Sequence, residues 1–199
     1  DFPWLTVLGA VPLFGAVAVM LTPKQRPELA KRVALVASVV TAGLAIAMAV
    51  QFKSGTAGYQ FVEKHEWIPA FGVNYALGVD GIALILIALA TILVPIVILA
   101  SWYDADPVTP GAAQAVRAAG DPPPKRPVRT FFALILILET MMIGVFAATD
   151  IFLFYVFFEA MLIPMYFLIG SFGGPRRNYA AVKFLLYSLF GGLLMLAAV

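Results

Sequence analysis

Residues 130–170 read TFFALILILETMMIGVFAATDIFLFYVFFEAMLIPMYFLIG and contain two apolar runs, 130–148 and 151–170, separated by Thr149 and Asp150. Each run is about as long as the ~20 residues that a membrane-spanning helix needs. The pair therefore predicts a tight antiparallel hairpin of two membrane-spanning helices. Near the middle of each run stands one carboxyl side chain, Glu139 in the first and Glu159 in the second.

Both glutamates are predicted to lie deep in the bilayer. Each is about ten residues from the turn, which places it roughly 15 Å deep at ~1.5 Å per residue. The hydrocarbon core is roughly 30 Å thick, so both lie near its midplane. A charge there costs a few kcal/mol, and an intramembrane carboxyl is therefore a candidate functional group.

The composition is that of an integral membrane protein. Of the 199 residues, 62% are hydrophobic and 12% are charged, whereas soluble domains have roughly 25% charged residues. The absence of cysteine excludes thiolate-bound zinc and iron–sulfur clusters, and the one histidine, His65, is too few for a haem pair or a zinc site. We expect no cofactor in this chain, and the net charge of +2 does not indicate nucleic acid binding.

The apolar pattern predicts an all-α, polytopic transmembrane helix bundle. We expect a cytoplasmic loop rich in Pro and Ala, 103–129, to divide transmembrane helices 1–3, within 1–102, from helices 4–6, within 130–199. The chain opens without a methionine and stops inside an apolar run, so we expect it to be a fragment. The predicted spans are 3–21, 33–51, 82–102, 130–148, 151–170 and 179–199.

The predicted loops differ in charge between the two sides of the membrane. Ten basic residues fall in the loops 22–32, 103–129 and 171–178, against two in the loop 52–81. The positive-inside rule places the ten in the cytoplasm and the N-terminus outside. We expect a multi-pass protein of the cell inner (cytoplasmic) membrane rather than of the mitochondrial inner membrane.

Tyrosines accompany the ionisable residues of the last two predicted spans. At 100° per residue, Tyr155 and Tyr166 share the face of Glu159. Lys183 lies roughly 9 Å below the cytoplasmic surface. Its neighbours on one face of the sixth span are Tyr179 and Tyr187. Such stripes favour contact with protein or water over lipid.

A glutamate and a lysine held in a poorly solvated site can load and unload a proton as water or a partner charge moves. Glu139, Glu159 and Lys183 are thus candidate proton-relay groups. Each also has a structural interpretation, because the glutamates can bond across helices and Lys183 can extend to the interface. Outside the spans, His65 is either a relay or an ordinary surface residue, and Asp80 is either a helix N-cap or a participant in transport.

Three segments resemble one protein family closely. They are GVFAATDIFLFYVFFEAMLIPMYFLIG at 144–170, LGVDGI at 77–82 and AAVKFLLYS at 180–188. The chain resembles the antiporter-like subunit M (subunit 4) of respiratory complex I, the proton-translocating NADH:quinone oxidoreductase. The sibling subunits L and N differ from FEAMLIPMY around this glutamate.

The resemblance implies a function and roles for particular residues. It implies that Glu159 is the fifth-helix carboxylate that modulates a buried channel lysine, that Glu139 is a second intramembrane carboxylate, and that Lys183 matches a sixth-helix lysine. It also implies a family fold of about fourteen spans, of which this chain matches the N-terminal six-helix portion, without the seventh-helix lysine of the main channel. NADH, FMN, iron–sulfur clusters and quinone are then expected in partner subunits, with subunits L and N as neighbours.

Three hypotheses follow. The first is proton translocation within complex I, with no redox chemistry in this chain itself. The second is a large subunit of a multisubunit Mrp-type cation/proton antiporter. The third is a membrane scaffold whose buried charges only set helix packing, and in that case replacing Glu159 with Gln changes stability alone.

Overall fold

The computed structural model describes residues 2–103, 105 and 125–199. Within these residues, six helices are long and apolar enough to cross a membrane, as the sequence predicts. Most of the predicted loop 103–129 lies outside the described residues. The helices are α1 (Trp4–Leu21), α2 (Pro27–Gln51), α3 (Gly81–Ala100), α4 (Val128–Ala147), α5 (Ile151–Phe172) and α6 (Arg177–Ala198).

Helix α2 begins at Pro27, six residues before the predicted span. Proline suits the first helical turn because its φ is already helical and it needs no N–H partner there. The added turns place Lys31 on the helix, where its side chain is fully buried. Its Nζ lies 3.5 Å from the Glu28 carboxylate and 4.9 Å from the centre of the Tyr103 ring. Lys31, predicted to lie in the basic loop 22–32, is therefore a buried residue of α2.

Between α2 and α3 the chain forms an antiparallel β-hairpin of β1 (Gln60–Ile68) and β2 (Val73–Val79). The strands are joined by a short 3₁₀ turn at Pro69–Phe71 and by Gly72, whose φ of 66° is in the left-handed region that glycine adopts readily. The sequence pattern predicts a loop over residues 52–81, and the structure instead forms a hairpin within it. Aromatic and β-branched runs on both sides of Pro69 and Gly72 are the signal that indicates a hairpin.

Helix α4 is the central helix and packs against α1, α2, α3 and α5. Two hydrophobic clusters surround it at different depths. One contains Phe132 and Leu136 of α4 with Val94 of α3, and the other contains Ile143 of α4 with Ile87 of α3. The core of the described bundle therefore lies along α4, with an apolar layer on each side of Glu139.

The hairpin is fastened to the adjacent helix ends by hydrogen bonds. The Asp150 carboxylate accepts from Leu153 N in the first turn of α5 and from Asn74 N of β2, both at 3.1 Å. Thr149 N donates to Ala76 O of β2 at 2.9 Å. Glu63 of β1 accepts from the backbone N–H groups at the start of α1. We call this end of the bundle the hairpin side.

The opposite end, which we call the basic side, carries most of the arginine and lysine residues that lie between the helices. Arg129 donates from Nη1 to Met20 O at 3.1 Å and to Thr22 O at 2.8 Å. These carbonyls lie at the end of α1, where a helix leaves its last C=O groups without intrahelical partners. A guanidinium thus caps α1 and holds it against α4.

Candidate functional site

Glu139 is fully buried in α4, at 0% exposure. Neither of its carboxyl oxygens has a hydrogen-bond partner among the described residues. It shares a helical face with Phe132, which packs beside Trp102 just after α3, so this face turns toward the end of α3. An ionised carboxylate is costly in such a place unless water or a cation reaches it.

The buried hydroxyl residues of the neighbouring helices lie at the same level as Glu139. Ser38 and Thr41 lie along α2 between the buried residues of one hydrophobic cluster and those of the other. Thr91 occupies the corresponding place along α3. Each hydroxyl donates to a carbonyl three or four residues back in its own helix. Their remaining lone pairs can accept a hydrogen bond from water or from a protonated carboxyl. The members of this hydroxyl layer are Ser38, Thr41 and Thr91.

Glu159 occupies the contact between α5 and α6. Its Oε1 atom is buried and has no hydrogen-bond partner among the residues described. The carboxyl group lies against Gly192 of α6, in the space where a side chain on that residue would begin. Glu159 therefore faces the backbone of α6, and the sequence analysis did not identify Gly192 as part of the site.

Lys183 lies on the other face of α6. The buried positions of that helix, all of whose residues are described, are Ala181 and Gly192. Lys183 is exposed. It is nine residues from Gly192, which amounts to about 180° around the helix and roughly 13 Å along it. The structure thus does not bring Lys183 and Glu159 together, and proton exchange between them stays a prediction.

Two of the predicted tyrosines lie near Lys183 on α6, and the other two lie on α5 with Glu159. The Lys183 ammonium lies 5.7 Å from the ring centre of Tyr179 and 5.9 Å from that of Tyr187 on the same helix, and a functional role for these tyrosines stays a prediction. Tyr155 is half-buried in α5, and so is Tyr166. No hydrogen bond joins either hydroxyl to Glu159 in the described part of the chain.

A cavity of about 600 Å³ opens at the basic side between α5 and α6. Tyr166 lines it together with Asn178, and the Lys125 ammonium donates a hydrogen bond to the Asn178 side chain. Tyr166 is seven residues, or roughly 10 Å along α5, from Glu159 and on nearly the same face. The cavity therefore opens beside the face of α5 that carries Glu159, about two helical turns from that residue.

The flanking candidates have structural partners. Asp80 caps α3 by accepting from Ala83 N at 2.8 Å, which confirms the N-cap interpretation. His65 is an exposed residue of β1 whose ring stacks on Tyr75, with 6.3 Å between the ring centres. Its role as a relay stays a prediction. Among the described residues, no group of three or more His, Cys, Asp or Glu side chains is arranged to hold a metal ion.

These observations define a class of protein. Six spanning helices, counted over the described residues, contain two carboxyl groups near the middle of their helices whose buried oxygens have no bonded partner, an arrangement typical of ion-translocating membrane proteins. The family described as NADH:quinone oxidoreductase/Mrp antiporter, transmembrane, matches residues 148–199, which include Glu159 and Lys183.

Relatives match the whole chain. NADH-quinone oxidoreductase subunit M of Mycobacterium tuberculosis is 51% identical over 100% of this chain and 38% of the relative. NADH-ubiquinone oxidoreductase chain 4 of Arabidopsis thaliana is 38% identical over 98% of this chain and 36% of the relative. The predicted resemblance is confirmed: over its whole length the chain is similar to subunits M, also called chain 4, of NADH-quinone oxidoreductases.

A solved structure shares the fold. It is respiratory complex I from Thermus thermophilus with bound NADH, in which one chain matches with a TM-score of 0.74 and 24% identity. The match covers 98% of this chain and 34% of that chain. The present chain thus spans less than two fifths of the length of the relatives it matches.

Proposed function

We propose that this chain is part of a membrane-arm subunit of a proton-pumping NADH:quinone oxidoreductase and that it moves protons through Glu159, Glu139 and Lys183. One observation carries the proposal. Two carboxyl groups lie midway along consecutive spanning helices, and their buried oxygens have no bonded partner in the described residues. A carboxyl without a permanent partner can exchange a proton with water or with a group that arrives.

The surroundings of Glu159 suggest a route. The cavity between α5 and α6 opens on the basic side and is lined by Tyr166, on the Glu159 face of α5. By the positive-inside rule, this is the cytoplasmic side, with the N-terminus outside. Protons would enter from the cytoplasm along this cavity and reach Glu159 through water. Lys183, on the far face of α6, would act as a separate station that meets its partners outside the described bundle.

Glu139 would act inside the bundle. Ser38 and Thr41 of α2 and Thr91 of α3 lie at similar depth on helices that pack against α4, and their lone pairs offer sites for water. Glu139 and Glu159 each lie about eight residues from the connection between α4 and α5, roughly 12 Å from it. Because Glu159 faces α6 and Phe157 is the α5 residue that meets Gly144 of α4, transfer between the two carboxyls would need intervening water or other groups.

The redox chemistry would belong to partner subunits. NADH, FMN, iron–sulfur clusters and quinone would bind there, and this chain would contribute proton translocation driven by their electron transfer. Subunits L and N would be its neighbours in a membrane arm within the cell inner (cytoplasmic) membrane. The whole assembly, and not this chain alone, would be the enzyme.

The experiment is a set of substitutions in the intact complex. Glu159→Gln and Glu139→Gln remove the titrating group and keep the side-chain size. Proton uptake into inverted membrane vesicles is measured together with NADH oxidation. Loss of NADH-driven pumping by either variant, with the complex assembled in normal amount, supports its role. The matched control is Glu66→Gln, which removes the same charge from an exposed position on the hairpin side.

Normal pumping in the Glu159→Gln variant would refute the relay and favour the scaffold hypothesis. The Mrp-type antiporter remains the second candidate because the matching family includes both kinds of protein. The two candidates differ in the energy source that drives proton movement. A complex I subunit supports proton movement that depends on NADH oxidation and copurifies with redox subunits, whereas an antiporter subunit exchanges cations in vesicles without NADH.

A further inference from the structure

The close approach of α5 and α6 at the Glu159 carboxyl depends on one residue, Gly192. A Cβ atom built on Gly192 would overlap Oε1 of Glu159 and lie 2.8 Å from its carboxyl carbon and 3.5 Å from its Oε2. Any side chain at position 192 would therefore occupy the space of the carboxyl group. The missing side chain of Gly192 is what allows the carboxyl to lie within the helix contact.

The packing of α6 supports this interpretation. Gly192 and Ala181 are its buried positions, and they are eleven residues apart, which puts them within about 20° of each other around the helix. Ala181 approaches α5 at Gly170, where an added Cβ would meet it at 3.4 Å, an ordinary contact distance. The tight approach at Gly192 thus lies on the established contact face of α6 and concerns the Glu159 side chain itself.

The overlap that an added Cβ at Gly192 would cause involves a flexible side chain, unlike the overlap at a glycine packed against a rigid group. At Gly144 of α4, an added Cβ would lie 2.6 Å from the ring of Phe157, a rigid group in a packed helix contact. At Gly192, the atoms that must move are the far end of a flexible glutamate side chain. A larger residue at position 192 therefore displaces the carboxyl while the two helices keep their places.

We propose that Gly192 is a positioning residue for proton transfer, which holds the Glu159 carboxyl in the α5–α6 contact by leaving room for it. The inference rests on the proposed function, since it assigns a position to the group that carries the proton. A methyl group at residue 192 turns the carboxyl out of this contact and changes which waters and partner groups it meets. Proton transfer slows, whereas folding and electron transfer persist.

The adjacent glycine provides the control. Gly191 is also in α6, and a Cβ built on it meets nothing within 4 Å. Gly191→Ala and Gly192→Ala make the same chemical change in neighbouring positions of one helix, and both replace glycine with a better helix former. Only Gly192→Ala adds a methyl group where the Glu159 carboxyl lies. A difference between the two variants therefore reports on that carboxyl and not on helix propensity.

The test uses intact complex I in membrane vesicles, with NADH oxidation, proton pumping and the amount of assembled complex measured for each variant. We expect Gly192→Ala to lower the pumping rate by roughly ten- to a hundredfold, as displacement of a reacting group by about 1 Å can do. We expect Gly191→Ala to pump normally. Infrared difference spectra give an independent measurement, because the carboxyl band lost in Glu159→Gln should shift in Gly192→Ala and stay in place in Gly191→Ala.

A double substitution tests the steric cause. Glu159→Asp shortens the side chain by one methylene and withdraws its carboxyl from α6. In combination with Gly192→Ala, it should pump faster than Gly192→Ala alone, since the shorter acid fits beside the methyl group. A structural defect in α6 would not be relieved by shortening a side chain of α5.

The outcomes separate the two proposals. If Glu159→Gln pumps normally, the proposed function fails and the role of Gly192 falls with it. If Glu159→Gln is impaired but Gly192→Ala behaves like Gly191→Ala, only the positioning role is overturned. The same follows if Gly192→Ala loses activity while the carboxyl band of Glu159 keeps its frequency.

Discussion

Asp150 joins the helix that carries Glu159 to the β-hairpin, and its removal should loosen that end of the bundle. One carboxylate oxygen caps α5 through Leu153 N, and the other accepts from Asn74 N, each at 3.1 Å. The perturbation is Asp150→Ala, which removes both acceptors and leaves the backbone in place. Both bonds are partly buried, so water replaces the lost acceptor only in part.

The expected magnitude follows from the two bonds. Loss of an N-cap costs about 1 kcal/mol, and loss of a hydrogen bond to a charged acceptor costs about 1.5–3 kcal/mol. Asp150→Ala should therefore lower the free energy of unfolding by about 2–4 kcal/mol. Asp80 offers a matched comparison, because it caps α3 through a single bond, from Ala83 N at 2.8 Å. Asp80→Ala should cost only about 1 kcal/mol.

The assay combines thermal unfolding in detergent with amide hydrogen exchange. We expect Asp150→Ala to unfold at a lower temperature than Asp80→Ala. Exchange at the Asn74 amide should accelerate roughly ten- to a hundredfold in Asp150→Ala, the equivalent of the lost bond. It should stay slow in Asp80→Ala. If the two variants unfold at the same temperature and Asn74 stays protected in both, Asp150 does not hold the hairpin and the reasoning is refuted.

Two further predictions concern the basic side and the orientation of the chain. Arg129→Met should destabilise the protein by about 1–3 kcal/mol, because the carbonyls at the end of α1 lose their donor. The control is Arg126→Met, at an exposed position. Equal melting temperatures of the two variants would contradict the capping role. Since the chain has no cysteine, His65→Cys and Arg176→Cys place single thiols on opposite sides of the membrane. A membrane-impermeant maleimide added to intact cells should label the His65→Cys variant and not the Arg176→Cys variant, and the reverse result would invert the proposed topology.

The sequence alone was sufficient for the six spanning helices and for the place of each glutamate near the middle of its helix. A bilayer admits only segments that satisfy their own backbone and are apolar for about 20 residues, so the spans can be read from composition along the chain. The N-cap of α3 at Asp80 was also predictable, because a cap acts within four residues of its own helix. These properties are local or are imposed by the solvent.

The direction in which each ionisable side chain points was decided by tertiary structure. Helical periodicity places Glu159 and Lys183 on faces of their own helices, but it does not tell which face meets another helix. Packing decides that: α6 turns Gly192 toward Glu159 and Lys183 away from it. The contact of Asp150 with Asn74 depends likewise on residues that are 76 positions apart in the chain. Contacts of this kind form only when segments that are distant in sequence pack closely against each other. The local pattern of one segment does not determine how it packs against another.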